Sequence, residues 1–503
     1  MNYPVHGLGV LLYLGALILV GLKKARSVRT QEDFSLAGRG LGAGVLCGTL
    51  LATWIGTGSL FGNAEEALRV GPAAFILPLA GAAGILALYA LAGRARRSGA
   101  ITVQDILEER FGPAARVLGT LTLLVAYTII VSYQYRAGAA VVSYLLPDVN
   151  QGWLLPLVAL FVIAYTALAG MQSVARTDLV NGVLMTVGIL LALVVAVHAV
   201  GGPAELLALP AAATPAGATP AGSSAYSAGD IISVLLPSFL LLLGDANMYQ
   251  RFFSAKDAAT ARRSALGMFC GVLLLELAII ALALAGGALV QTGQISAPDN
   301  PGHVIVHLAF ADTGGAPLLP LPLGALLAAT VLAVIVSTAD SYLLAPATAL
   351  VRDIFQRFLR PDMAEQSLVR VSRRTVVVLG LVALGLAYLS DRFFSVALFA
   401  YTLYGAGITP ALLAALFWPR ARPGAAVCSM LAGVAVALGW KYGAWGGLIS
   451  GAFGPGTEWG AWAEFIGELH AVVPAALASF GVLILGSLLP GRHSQAPQAR
   501  STD

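Results

Sequence analysis

Long apolar blocks alternate with short polar joints from one end of the chain to the other. The blocks reach 18 residues and more, the length at which an α-helix crosses the hydrocarbon of a bilayer. About 13 such spans are predicted, near residues 5–22, 43–66, 73–93, 115–146, 153–170, 178–200, 230–246, 265–291, 321–350, 374–390, 393–418, 425–445 and 468–489. Only helices fit, because backbone groups in hydrocarbon must be bonded within their own segment. Residues 101–112 (ITVQDILEERFG) are amphipathic and predict a short helix at the cytoplasmic interface. Residues 203–229, rich in Ala, Pro, Gly and Ser, predict a flexible external loop. External loops are expected at 292–320 and 446–467 too, and a disordered tail at about 491–503.

The chain has 503 residues, of which 29 are Lys or Arg and 25 Asp or Glu, so 11% carry charge. Soluble domains hold roughly 25%. With 58% hydrophobic residues and a mean hydropathy of +0.84, the chain reads as an all-α integral membrane protein. That excludes a soluble enzyme, a nucleic-acid binder and a secreted disulfide scaffold. No P-loop, HExxH or GxSxG motif is present, and the histidines do not cluster at ligand spacing. Cys47, Cys270 and Cys428 all fall in apolar runs, where they act as small fillers. No stretch between spans is long enough to fold as an appended domain. No cofactor, nucleic acid or obligatory protein partner is expected, and the chain is read as one transporter domain, not an enzyme. Residues 5–22 lack a preceding basic stretch and a cleavage site, so a retained span is expected there.

Basic residues set the orientation. With the N-terminus outside and the C-terminus cytoplasmic, the inner segments hold 25 of the 29 Lys and Arg, Arg251 among them. Arg69, Arg392 and Lys441 fall outside, and Arg136 lies within a span. The net charge of +4 is therefore a topology signal and implies no acidic partner. The location implied is the inner (plasma) membrane, crossed many times.

Ionisable groups at bilayer depth are costly and mark functional sites. The candidates are Arg136, Asp178, Asp245, Glu276 and Asp340, with Glu65 and Glu66 near one end of the second span. Arg136 is expected to pair with Glu65 or Glu66. The ninth span carries Ser337-Thr338-Ala339-Asp340-Ser341 in the middle of a Leu/Ala/Val run. At helical pitch, its four polar side chains fall within an arc of about 160°. Such a concentration of oxygens suits a hard cation, or else glues helices together. The second span (ATWIGTGSLFGNAEEA, 52–67) and the seventh (LLLLGDANMYQRFF, 240–253) are interrupted by glycine and polar residues. A broken helix frees carbonyls to bind ions at mid-membrane. These two spans lie five apart in opposite directions, so two inverted five-helix repeats are predicted, about 43–200 and 230–418. One helix (5–22) precedes them and two (about 425–489) follow.

Six segments, in order and spacing, resemble the sodium:solute symporter family over nearly the whole chain. They are DFSLAGRGLG (33–42), ATWIGTGSLFGNAEEA (52–67), ITVQDILEERFG (101–112), GMQSVARTDLVNGVLM (170–185), GDANMYQRFFSAKDAATARR (244–263) and AVIVSTADSYLLAPATALVRDIF (333–355). The resemblance implies the LeuT-type inverted-repeat fold and sodium-coupled uptake of a small organic solute. It implies a sodium site made by the carbonyls of Ala52, Ile55 and Val334 with the hydroxyls of Ser337 and Thr338. A second cation site, present in some members, would map to Asp178, Asp340 and Ser341, with Asp340 standing where the family has a hydroxyl. The substrate pocket would involve Trp54, Gly56, Thr57, Tyr133, Asp245 and Tyr249. The stretch around Trp54 is similar to choline carriers, where an indole can hold a quaternary ammonium. Two other readings stay open: proton coupling through Asp340 or Asp178, and a sensor that binds solute without moving it.

Overall fold

The computed structural model describes residues 4–25, 30–208, 226–389, 393–443 and 470–489. The tail at 491–503, the loop at 446–467 and most of the loop at 203–229 lie outside the described residues. Among the described residues every regular element is a helix, and only two isolated bridges occur.

All 13 predicted segments are helical. They correspond to α1 (Pro4–Ala25), α3 (Ala43–Trp54) with α4 (Asn63–Val70), α5 (Pro78–Arg97), α7 (Pro113–Leu145) and α8 (Gln151–Val200). The second half supplies α10 (Ala228–Gly244) with α11 (Ala246–Ser254), α12 (Ala258–Gln291), α14 (Leu321–Ala349), α15 (Glu365–Ala387) and α16 (Phe393–Phe417). Helices α17 (Pro423–Lys441) and α18 (Val472–Leu488) close the chain. Among the described residues eight helices are long and apolar enough to cross a membrane, or nine if the bent pair around Ile55 counts as one span. Length and apolarity by themselves do not reach 13 among the described residues, because α1, the first part of α8 and α18 offer only short apolar stretches. Helix α15 carries Arg370, Arg373 and Arg374 in its first half.

Short helices fill the joints. They are α2 (Gln31–Leu36), α6 (Val103–Phe111), α9 (Pro203–Ala208) and α13 (Val304–Phe310). The amphipathic segment at 101–112 forms α6, started by a capping box between Thr102 and Asp105. Its Ile106, Leu107 and Phe111 are buried, and Arg116 of α7 pairs with its Asp105 and Glu108. The predicted fifth and sixth spans run as one helix, α8, kinked at Gly170. There φ is 59°, a conformation that costs a residue with a Cβ and suits glycine.

Burial sorts the helices into an inner and an outer set. The most apolar stretch of α16 is 83% buried and that of α14 and its extension 78%, against 28% for Gly170–Val200. Leu11, Leu157, Val194 and Leu477 present large side chains outward, as a lipid-facing belt requires. Helix α14 packs on α7 and α8, and α3 lies against α8, α12 and α14. The interrupted helix is thus at the centre of the bundle, where its break can face an ion and not lipid.

Candidate functional site

Helix α3 ends at Trp54 because Ile55 takes extended backbone (φ −70°, ψ 99°). A π-helical turn, Gly58–Gly62, restarts the chain, and the two halves meet at 51°. The break leaves carbonyls without their i+4 partners, and α14 supplies hydroxyls to them. Ser337 Oγ lies 3.0 Å from the carbonyl of Ala52 and 3.1 Å from that of Val334, and Thr338 Oγ1 lies 3.3 Å from that of Ile55. All five residues predicted as sodium ligands therefore meet. Oxygens gathered at about 2.4 Å around a hard cation lie about 3.4 Å from one another. The observed spacings are close to that, so a small contraction or rotation of two hydroxyls makes a cation shell.

Gly56 is what allows this approach. A Cβ there would stand 2.9 Å from both Oγ1 and Cγ2 of Thr338. Gly56→Ala is expected to push α14 from the break and weaken sodium-stimulated uptake about tenfold, measured in proteoliposomes against total protein inserted. Thr57 donates to Gln134 Oε1 on α7, which ties the break to a third helix.

One helical turn deeper lies a buried charge cluster. Asp178 Oδ2 accepts from Thr49 Oγ1 at 2.5 Å and from the Arg251 guanidinium at 3.2 Å. The same guanidinium nitrogen reaches Ser341 Oγ at 2.7 Å, and Arg251 Nε reaches Thr49 Oγ1 at 2.9 Å. Ser341 also donates to Asp340 Oδ1 at 3.2 Å. Asp178, Asp340 and Ser341 thus come together as predicted, with a cation of the protein's own among them. Arg251 is not the loop residue that the topology count made it: it sits on α11 and is fully buried. The cluster holds two carboxylates and one guanidinium, and Asp178 Oδ1 and Asp340 Oδ2 have no hydrogen-bond partner among the described residues.

A cavity of roughly 50 Å³ opens beside the break, toward the α4 end of the bundle. Trp54, Ser59, Glu276 and Tyr401 line it. Trp54 Nε1 donates to Glu276 Oε1 at 3.0 Å, and Ser59 Oγ to the same oxygen at 3.1 Å. Of the predicted substrate residues, Trp54 lines this cavity and Tyr133 touches its edge, its hydroxyl 3.3 Å from that of Tyr401. Gly56 and Thr57 belong to the break instead. Asp245 and Tyr249 do not line it. Asp245 caps α11, accepting from Asn247 N at 2.8 Å, Tyr127 at 2.5 Å and Tyr342 at 3.0 Å. Tyr249 is fully buried, and its hydroxyl bonds the carbonyl of Leu243 at 3.1 Å. A polar interruption in a span needs its own backbone groups satisfied first, and both side chains are used for that. Arg136 donates to the carbonyl of Ala387, while Glu66 takes Arg69 and Tyr226.

The model of the sodium:solute symporter family matches residues 34–433. The chain belongs to that family. The high-affinity proline transporter PutP of Bacillus subtilis is 27% identical over 441 residues, covering 84% of this chain and 89% of the relative. The sodium/pantothenate symporter of Escherichia coli is 27% identical over 432 residues, covering 83% and 86%. A solved Na+-coupled sialic acid symporter, in an outward-open state, superposes with a TM-score of 0.78 at 18% identity, covering 98% of this chain and 99% of that one. The last establishes a shared fold. The protein is a multi-span membrane symporter and not an enzyme.

Family membership leaves three residues to the structure alone. Glu276 stands out as an ionisable group in a span, but nothing in the sequence ties it to Trp54, 222 positions away. Tyr401 gives no signal in its apolar run. Arg251 is hidden by the basic residues that follow it.

Proposed function

We propose that this symporter couples inward movement of sodium to uptake of a small organic solute by alternating access. Ala52, Ile55, Val334, Ser337 and Thr338 hold the ion, and the cavity beside Trp54 receives the solute. The observation that carries this reading is the pair of α14 hydroxyls set against the carbonyls exposed by the break after Trp54. One ion bound there ties α3 to α14, so its presence favours one arrangement of the two repeats. The repeats are α3 to α8 and α10 to α16, inverted with respect to each other, within 13 crossings that begin outside and end in the cytoplasm.

The solutes named for relatives, proline, pantothenate and sialic acid, mark the expected class as small and polar. The location follows as the plasma membrane. One sodium is expected per cycle, because Arg251 already provides a cation between Asp178 and Ser341. A single charge moving inward gains about 2.3 kcal/mol per 100 mV, which supports roughly 50-fold accumulation of a neutral solute.

A second reading, proton coupling, is favoured by one feature. The cluster has two carboxylates, Asp178 and Asp340, and one guanidinium, which pairs with Asp178, and a proton would balance the remaining charge. Uptake into proteoliposomes under separate sodium and proton gradients decides between them. Accumulation driven by an inward sodium gradient at equal pH is expected. Accumulation that follows only the proton gradient would overturn sodium coupling.

A further inference from the structure

Glu276 is the one group in the cavity wall with a formal charge, and nothing in the symport reading uses it. It lies on α12, 5% exposed, in the run LLLELAII. No Lys or Arg is among the residues that line the cavity, and no ion pair to Glu276 exists among the described residues. Its Oε1 takes both available donors, Trp54 Nε1 and Ser59 Oγ. Both donate to that one oxygen and so hold the carboxyl group in place. Its Oε2 takes no hydrogen bond among the described residues and is left to the cavity. A buried carboxylate without a cation costs several kcal/mol. The wall beside it is aromatic, with Trp54 and Tyr401, and aromatic faces favour cations over anions.

We propose that the solute carries a positively charged amine and that Glu276 is the residue that selects it. Its ammonium or substituted ammonium group lies against Oε2 of Glu276, between Trp54 and Tyr401. The sodium held behind Trp54 then faces the other end of the solute, where a carboxylate or hydroxyl can meet it. The wall therefore accepts a zwitterion or a simple organic cation and rejects an anion without an amine. Trp54 and Ser59 act as positioning residues, holding the carboxylate with one oxygen presented. This inference rests on the symport reading for the location of the pocket, but its test does not share the same readout.

The test is thermal stability of the purified full-length protein, in sodium and in potassium, with matched solutes. The amines are the common amino acids, glycine betaine and choline. Their partners lack the positive charge: cyclopentanecarboxylate for proline and 3,3-dimethyl-1-butanol for choline. Pantothenate and lactate serve as amine-free anions. An amine is expected to raise the melting temperature while its amine-free partner does not. Stabilisation by proline or another amino acid names a zwitterion, and stabilisation by choline alone names a cation. Glu276→Gln is expected to weaken that amine's binding roughly 30-fold or more, the loss expected when one partner of a buried charge pair is removed. The stabilisation given by sodium alone should persist in this variant, which also shows that it folds. Ser59→Ala provides a milder second variant, with a smaller loss of affinity for the same amine. Equal stabilisation by an amine and its amine-free partner overturns the proposal, as does an amine-free anion that binds while no amine does, or an absence of shift with every amine. Loss of sodium's own effect in the wild type would instead overturn the coupling reading and leave the amine comparison standing.

Discussion

Ser337→Ala combined with Thr338→Ala is expected to abolish sodium-stimulated uptake while the protein still inserts and purifies as a single species. These hydroxyls are two of the five oxygens that the break after Trp54 and helix α14 bring together. A hydrogen-bond-like contact to a charged group contributes about 1.5–3 kcal/mol. Losing both lowers sodium affinity by roughly two to four powers of ten, beyond the range in which a physiological gradient can load the site. The measurement is initial uptake into proteoliposomes as a function of external sodium. Thr330→Ala is the control, since Thr330, also on α14, donates to a backbone carbonyl, that of Leu184 on α8 at 3.1 Å, away from the break. That variant should keep its sodium dependence. A double variant that retains the wild-type sodium curve would remove these hydroxyls from the ion site.

Arg251→Gln is expected to have the second large effect, on stability. Removing the guanidinium leaves Asp178 and Asp340 buried with no positive partner, in a place where water cannot replace it. Breaking a buried pair in this way costs about 3–5 kcal/mol. Asp178→Asn added to Arg251→Gln removes one of the stranded charges, and most of the loss should return. Melting temperatures of the two single variants and the double variant form the cycle that isolates the coupling. Independent, additive losses would mean that the two side chains touch without depending on each other. The same variants bear on stoichiometry. If Arg251 is the resident cation of this cluster, its removal should let the cluster bind sodium, and the sodium dependence of uptake or melting should become steeper. An unchanged dependence would mean that a proton neutralises the pair instead.

The meeting of the α14 hydroxyls with the break is legible in the amino-acid sequence because its parts are local. Ser337 and Thr338 are adjacent, and Ala52 and Ile55 flank one break, so a short motif on each helix carries the information. The pocket is far less legible. Asp245 and Tyr249 look like ligand-binding groups in a polar interruption, yet the interruption consumes them in its own caps and hydroxyl bonds. Glu276 is a single carboxylate in an apolar run, and its meaning comes from Trp54 and Ser59 on another helix.

Taken by itself, the amino-acid sequence determined the helical class, where two of the spans break, and which residues of the break and of α14 lie together. These follow from hydropathy, helix pitch and the rule that backbone groups in hydrocarbon must be satisfied. It misjudged Arg251, since a count of basic residues along the chain cannot distinguish a loop cation from one turned inward on the last turns of a span. Only the tertiary structure decided which buried charges share a partner and which carboxylate is left facing a cavity. Charge pairing acts through space over a few ångströms, and the groups concerned are separated by tens to hundreds of positions: Asp178 and Arg251 by 73, Trp54 and Glu276 by 222.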